Sequence, residues 1–200
     1  IEDSAVIAYR LARLINCSVV ATGEEDYVSD GTRVFAVPHG HPIMTAVTGT
    51  GCLLGAVLAA FFSAYYPCKN RLSMGEFLAY ALAYYGLAGE SAVQVSGVKP
   101  GSFSVAFMDS LYTLDDAVLM SENRIRPIVV PDQLEVYFIS GTQDVELNEH
   151  RLLSIVEDAC RGGVTCFQFR EKGAGTLAGQ QKLELAQQLK QICAKYNVLY

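Results

Sequence analysis

The chain of 200 residues has no tryptophan, only three histidines, and no Cys-x-x-Cys pair among its six cysteines. Structural zinc sites need closely spaced cysteine and histidine ligands, so this spacing argues against one. Scattered cysteines are typical of a reducing compartment, and no signal peptide opens the sequence. We therefore expect a cytoplasmic protein.

Clustered positive charge is also missing. The chain has 15 Lys and Arg against 21 Asp and Glu, which gives a net charge of -6, and its basic residues form no cluster. Nucleic-acid binding depends on the neutralisation of many phosphates, so we expect no nucleic-acid partner. A small phosphate ligand needs only a local site and stays compatible with this charge.

Apolar runs are too short for a membrane span. The most apolar predicted helix covers residues 52–66, about 15 residues, whereas a span needs roughly 20. We therefore expect no membrane partner. Hydrophobic residues nevertheless make up 51% of the chain, which is enough to build a core.

Apolar spacing and turn residues predict the elements of the first 120 residues. A helix over residues 3–15 carries an apolar set at helical spacing, namely Val6, Ile7, Leu11, Leu14 and Ile15. We then expect a strand at 17–22, a hairpin around Asp30-Gly31, helices at 52–66 and 74–95, a break at 99–104 and a helix from 105.

The pattern changes in the second half of the chain. Residues 121–133 combine charges, two prolines and little periodicity, which predicts a linker between domains at 1–120 and 134–200. In the second domain, strand-like and helix-like stretches alternate, which predicts parallel strands joined by helices. The chain starts without Met inside a helical pattern and stops inside a strand-like one. We therefore expect a segment of a longer protein.

A glycine-rich turn, Gly49-Thr50-Gly51-Cys52, opens the most apolar predicted helix. Backbone N–H groups at a helix N-terminus lie at the positive end of the helix dipole and favour a bound phosphate. A cysteine there has its thiolate stabilised and can accept a proton from a substrate hydroxyl. Small residues at such a turn can also serve close packing alone, so the motif leaves both interpretations open.

A second polar motif lies in GGVTCFQFREKG, residues 162–173. Gln168, Arg170 and Lys172 share one face of an alternating strand or its continuation. In a (β/α)8 barrel the C-terminal ends of the strands carry the active site. Arginine and lysine suit a diphosphate, one as a fork of donors and the other as a point charge. The alternative is an exposed strand end with ordinary surface charges.

Three motifs of the first domain occur in the order that hydroxyethylthiazole kinases have them: VVATGEEDYVSDG, PIMTAVTGTGC and KPGSFSVAFMDSLY. Residues 1–120 resemble the C-terminal half of that ribokinase-like family. The resemblance implies transfer of the γ-phosphate of ATP to the hydroxyl of 4-methyl-5-(2-hydroxyethyl)thiazole, with Mg²⁺. It also implies a homo-oligomer, a trimer through the kinase part.

The same resemblance assigns residues. Thr22 would contact ATP, and Gly49 would line the thiazole site. The turn through Thr50 and Gly51 would hold the transferred phosphate, and Cys52 stands where related kinases place an aspartate base. Metal ligands are expected outside this segment of the protein.

Residues 134–200 resemble the start of thiamine-phosphate synthase, a TIM barrel. The QLREK motif of that family corresponds here to Gln168-Phe169-Arg170-Glu171-Lys172. The resemblance implies that these five residues bind the pyrimidine diphosphate substrate. The region covers about two of the eight β/α units of a barrel, so we expect a partial barrel.

The two resemblances together predict a bifunctional enzyme of thiamine biosynthesis, because the kinase makes the thiazole phosphate that the synthase consumes. The fold class is α/β, a partial ribokinase-like domain followed by a partial TIM barrel. A kinase for another small alcohol and a degenerate, non-catalytic binding module remain alternatives. Asp26 could orient a metal-bound water or be a solvated turn acid. Phe103 could pack near the nucleotide or belong to the core.

Overall fold

A computed structural model describes residues 3–65, 67, 71–173 and 175–200 of the chain. Tyr66, the last residue of the helix predicted over 52–66, and Cys68, one of the six cysteines, lie outside the described residues. The chain divides into two units, the first ending at Ile128 and the second spanning Val129–Tyr200.

The first unit is built on a four-stranded antiparallel sheet in the order β1-β2-β3-β4. The hairpin between β2 and β3 confirms the turn predicted at Asp30-Gly31. Asp30 Oδ1 accepts hydrogen bonds from the N–H groups of Thr32 and Arg33, and Gly31 has a φ of +83°, which favours glycine. The strands are β1 (Val19–Ala21), β2 (Asp26–Ser29), β3 (Val34–Val37) and β4 (Arg126–Ile128).

Strand β4 lies inside residues 121–133, the stretch predicted to be a linker. It pairs with β3 so that Pro127 faces Phe35. A proline is tolerated in an edge strand, because the N–H that it lacks is not needed by a further strand. The three-residue strand is too short for its alternation to be recognised in the sequence.

Five α-helices complete the described part of the first unit, with N-terminal caps where the sequence supplies acceptors. Asp3 Oδ1 accepts from the N–H of Ala5, and Ser73 Oγ accepts from the N–H of Glu76. The helices are α1 (Ser4–Ile15), α2 (Thr50–Ser63), α3 (Met74–Ser96), α4 (Pro100–Thr113) and α5 (Asp116–Glu122). Helix α3 confirms the helix predicted over 74–95. Within the described ranges, none of the helices has the length and apolarity that crossing a membrane requires.

The break predicted at 99–104 is wrong for most of its length. Helix α4 begins at Pro100 and includes Phe103. Proline fits the first turn of a helix because the N–H group that it lacks has no partner there in any case. The interruption is therefore limited to the residues before Pro100, where Gly97 has a φ of +62°.

The buried face of helix α1 differs from the face that its apolar spacing predicted. Its buried residues are the small Ala5, Ala8 and Ala12 together with Tyr9. Of the predicted apolar set, Leu14 is 81% exposed and Ile15 is 51% exposed. Alanines allow the helix to approach a neighbouring sheet closely, which larger side chains at those positions would prevent.

The core of the first unit surrounds α3, whose buried residues pack against the sheet, α2 and α4. Phe103 is fully buried in this core and stacks on Phe107 with ring centroids 5.4 Å apart. Of the two interpretations of Phe103, the structure supports the one as a core residue.

The second unit alternates strands and helices, as the sequence predicted: β5 (Tyr137–Ser140), α6 (Glu149–Arg161), β6 (Cys166–Phe169) and α7 (Gly179–Lys195). Strands β5 and β6 are parallel, and Leu199 forms a further parallel bridge to Cys166 at the start of the predicted third strand. The helices bury Leu152, Val156, Leu185 and Leu189 against Phe167. A mixed α/β architecture is therefore present in both units.

Candidate functional site

The first unit contains a cavity of about 730 Å³, a size typical of small-molecule sites. Four segments line it: the turn between β1 and β2, the loop after β3, the first turns of α2, and the middle of α3. Three of the predicted site residues, Thr22, Thr50 and Gly51, meet in this lining. Gly49 and Cys52 are outside the lining set, although they flank it along the chain.

The first turn of α2 offers unpaired donors to the cavity region. Gly49, with a φ of +100°, is the N-cap residue and provides no side-chain cap. Within the described part of the chain, the N–H groups of Gly51 and Cys52 have no hydrogen-bond partner. Two free N–H groups at the positive end of a helix dipole can hold an anion.

Thr50 holds this turn in place from two sides. Its Oγ1 donates to the carbonyl oxygen of Met44 at 2.8 Å. Its own carbonyl oxygen accepts a 2.6 Å hydrogen bond from the Tyr85 hydroxyl. Burial raises the pKa of Tyr85 to about 12, so the hydroxyl keeps its proton and remains a donor. The Thr50 hydroxyl is thus committed to the protein, which leaves the backbone donors for a ligand.

Cys52 is exposed in the first turn of α2. Its position one residue after Gly51 puts its N–H and its side chain at the same helix end. The side chain is therefore accessible from solvent.

Asp26 lines the cavity and closes the turn between β1 and β2. Its Oδ1 accepts from the N–H of Gly23 at 2.9 Å. Burial raises the pKa of Asp26, an effect opposed by that hydrogen bond. A desolvated carboxyl beside a cavity differs from the solvated turn acid that was the alternative from the sequence.

The described residues do not assemble a metal site. They contain no group of three or more histidine, cysteine, aspartate or glutamate side chains that could hold a metal ion. Asp26 alone is no adequate set of ligands for Mg²⁺, which prefers octahedral oxygen coordination.

Several cavity residues were not predicted as site residues, because they come from segments that are distant from one another in the sequence. His39, Gly40 and Met44 follow β3, and Tyr85 and Gly86 lie on α3. A Cβ atom added to Gly86 would lie 2.5 Å from the Cβ of His39, so helix and loop are in close contact. The pair of small residues Gly86 and Gly89 on one helix face was the signal that could have revealed this approach.

In the second unit, the five predicted diphosphate residues have different environments. Gln168, Arg170 and Lys172 are exposed at the end of β6. Among the described residues, Arg170 and Lys172 form no side-chain ion pair. Two unpaired cations beside one strand end are suited to a diphosphate. Phe169 instead packs against the core of the unit.

Glu171 is bound inside the second unit. One carboxylate oxygen accepts from the Thr142 N–H at 2.7 Å. The other accepts from the Thr142 hydroxyl at 2.8 Å and from the Leu177 N–H at 3.0 Å. Glu171 therefore joins the loops that follow β5 and β6, and these are the loops that carry the polar strand-end residues.

Comparison with known proteins shows which families the two parts of the chain resemble. The model of the hydroxyethylthiazole kinase family matches residues 2–117, more than half of the chain. The chain belongs to the hydroxyethylthiazole kinase family. The model of thiamine monophosphate synthase matches residues 136–200. Both resemblances inferred from the motifs are thereby confirmed, in the same order along the chain.

Individual relatives of the kinase family agree. The hydroxyethylthiazole kinases of Psychrobacter sp. (strain PRwf-1) and Salmonella schwarzengrund (strain CVM19633) are each 44% identical to this chain, over 54% and 58% of it. These matches cover 38% and 41% of the relatives, so the chain spans about two-fifths of their length. The structure of a hydroxyethylthiazole kinase protein from Pyrococcus horikoshii OT3 is 34% identical with a TM-score of 0.57, covering 64% of this chain and 47% of that one.

Proposed function

We propose that the protein containing this chain carries out two consecutive transfers in thiamine biosynthesis. The first moves the γ-phosphate of ATP to the hydroxyl of hydroxyethylthiazole. The second joins the resulting thiazole phosphate to hydroxymethylpyrimidine diphosphate, which forms thiamine phosphate and releases diphosphate. The observation that carries the proposal is the succession of the two family matches on one chain, each over a unit with a candidate anion site.

For the kinase step, Thr22 contacts ATP and Gly49 contacts the thiazole. The N–H groups of Gly51 and Cys52 hold the phosphoryl group that is transferred, a role supported by their lack of other partners among the described residues. The exposed Cys52 side chain accepts the proton of the substrate hydroxyl. Positioning and charge stabilisation carry most of the catalysis in phosphoryl transfer, so a weak base is sufficient.

For the synthase step, the exposed side chains of Gln168, Arg170 and Lys172 bind the pyrimidine diphosphate. The two cations are free of ion pairs in the described part of the second unit, which supports this role. Phe169 and Glu171 belong to the same motif, and we assign them to holding the strand end in place. Their support is the packing of Phe169 and the three hydrogen bonds of Glu171.

The proposal includes ATP as co-substrate and, from the family resemblance, Mg²⁺ bound with it. The described residues contain no set of three or more histidine, cysteine, aspartate or glutamate side chains that could hold this ion. It also includes a homo-oligomer through the kinase part. A cytoplasmic location is supported by five described cysteines that are free. A kinase for a different small alcohol is less well supported, because the relatives reported above carry the hydroxyethylthiazole kinase name.

The test is a product assay on the natural protein that contains these 200 residues. ATP, Mg²⁺, hydroxyethylthiazole and the pyrimidine diphosphate are supplied, and both phosphates are measured. Formation of thiazole phosphate and thiamine phosphate supports the proposal. Thiazole phosphate alone would refute the synthase half. Neither product, from protein shown to be folded, would favour a binding module, and preference for another alcohol would refute the assigned substrate.

A further inference from the structure

The segment of residues 123–128 connects α5 to the end of the first unit and includes β4. It lies beyond residue 117, where the kinase family match ends, and in the sequence it has the character of a linker. We call it the strap. Its two arginines reach two different segments that line the cavity of the first unit.

Arg124 contacts the loop after β3. Its backbone N–H donates to Nε2 of His39 at 3.1 Å. Its guanidinium Nη2 donates to the carbonyl oxygen of Pro38 at 3.0 Å and to Oε1 of Glu90 at 2.6 Å. Arg124 therefore binds the loop at the His39 ring and the Pro38 carbonyl oxygen, and it binds α3 at the Glu90 carboxylate.

Glu90 ties the same loop to α3. Its Oε1 also accepts from the N–H of Gly40 at 2.9 Å and lies 3.3 Å from Nδ1 of His39. The His39 side chain is fully buried. Because Nε2 accepts a hydrogen bond, Nδ1 carries the proton of the neutral ring and donates to Glu90. Both ring nitrogens of His39 are thus hydrogen-bonded, and Glu90 also holds the N–H of Gly40. His39 and Gly40 both line the cavity.

Arg126 contacts the turn between β1 and β2. Its Nη2 lies 2.5 Å from Oε1 of Glu25, whose other oxygen accepts from the Tyr27 hydroxyl at 2.7 Å. Glu25 stands between Glu24 and Asp26, which both line the cavity. The Arg126 side chain is more exposed than that of Arg124, so its ion pair contributes less.

We propose that the strap shapes the cavity of the first unit, with Arg124 as the main positioning residue and Arg126 as a secondary one. Neither arginine is among the residues that line the cavity. They act through Glu90, His39 and Glu25 on the two segments that enclose the ligand. The effect on catalysis rests on the proposed kinase function, whereas the effect on the cavity loop does not.

The decisive experiment compares Arg124→Gln with Arg33→Gln in the natural protein. Arg33 is a matched control because its side chain is exposed to a similar degree and pairs with Glu76 at 3.6 Å, away from the cavity. Hydrogen exchange is measured for peptides that cover residues 38–45. We expect exchange in these peptides, which contain the Gly40 N–H, to become about 10-fold faster in Arg124→Gln, since a charge-assisted network is lost, and to be unchanged in Arg33→Gln.

Two further measurements separate positioning from general destabilisation. Exchange in β6 of the second unit should stay at the wild-type rate in both variants. Kinase assays of Arg124→Gln should show KM raised about 10-fold, with a smaller change in kcat, and Arg124→Lys should recover part of the loss. A variant that is simply less folded would lower kcat in proportion to the folded fraction and leave KM unchanged.

The outcomes of the two proposals are distinguishable. Unchanged exchange at residues 38–45 in Arg124→Gln overturns the strap proposal whether or not the protein is a kinase. A wild-type protein without kinase activity, but with faster exchange in the variant, overturns the proposed function and leaves the strap. Equal effects of Arg124→Gln and Arg33→Gln on exchange would also overturn the strap proposal.

Discussion

Replacing Gly86 with alanine tests the close contact between α3 and the cavity loop. The added Cβ would lie 2.5 Å from the Cβ of His39, 2.7 Å from its carbonyl carbon and 2.9 Å from the nitrogen of Gly40. Since two of these atoms belong to the main chain, no rotamer change can relieve the overlap. The loop must move away from α3, and the residues that it presents to the cavity must move with it.

The magnitude follows from two opposing effects. Overpacking of a tight contact costs about 1–3 kcal/mol, whereas alanine in place of glycine within a helix gains about 1 kcal/mol. We expect Gly86→Ala to lower the free energy of unfolding by up to about 2 kcal/mol. Kinase activity should fall as well, because Gly86, His39 and Gly40 all line the cavity.

Gly89→Ala is the matched control on the same helix. Its added Cβ would meet the sulfur of Met44 at 2.6 Å, the far part of a flexible side chain that can turn aside. We expect stability to be unchanged or raised by up to about 1 kcal/mol. Urea unfolding followed by circular dichroism measures both variants. Equal stability of the two variants would refute the described contact between α3 and the loop.

Three further predictions concern single residues of the two candidate sites. Burial raises the pKa of Asp26 from its ordinary value of 3.8, so the folded protein binds this proton more tightly than the unfolded chain and loses stability as the pH rises through the raised pKa. In thermal melts, Asp26→Asn should therefore be more stable than the wild type at neutral pH, and its stability should depend less on pH. Cys52→Ala should lower kinase turnover about 10- to 100-fold with little change in nucleotide affinity, and unchanged turnover would restrict Cys52 to packing. Arg170→Ala should weaken binding of the pyrimidine diphosphate about 10- to 100-fold by calorimetry and leave the kinase step intact; loss of both would indicate misfolding.

Local signals in the sequence were sufficient where one element decides its own structure. The turn at Asp30-Gly31 carries its side-chain acceptor and its glycine together, so the β2–β3 hairpin was predictable. The alternation in the second unit was equally clear, because each helix there has one apolar face. These features depend on residues within a few positions of each other.

Predictions failed where a partner distant in the sequence decides the outcome. β4 becomes a strand only because β3 offers it an edge, and its three residues carry no pattern of their own. Helix α1 buries its alanines because the neighbouring sheet demands a close approach, although its larger apolar residues have the stronger periodicity. Pro100 suggested a break where the chain uses proline to begin a helix.

The candidate site divides in the same way. The two family resemblances, and the motifs around Gly51 and Arg170, follow from residue order alone and needed no coordinates. Their roles in ligand binding stay predictions until the proteins are assayed.

By itself, then, the sequence determined the two α/β units, their families and the short motifs, because each of these is written in contiguous residues. Only the tertiary structure decided which residues share the cavity. Tyr85 reaches Thr50, and Arg124 reaches His39 and Glu90, across 34 to 85 positions of the chain. The reason is that hydrogen bonds and steric contacts act over a few ångströms in space, and folding sets these distances independently of separation along the chain.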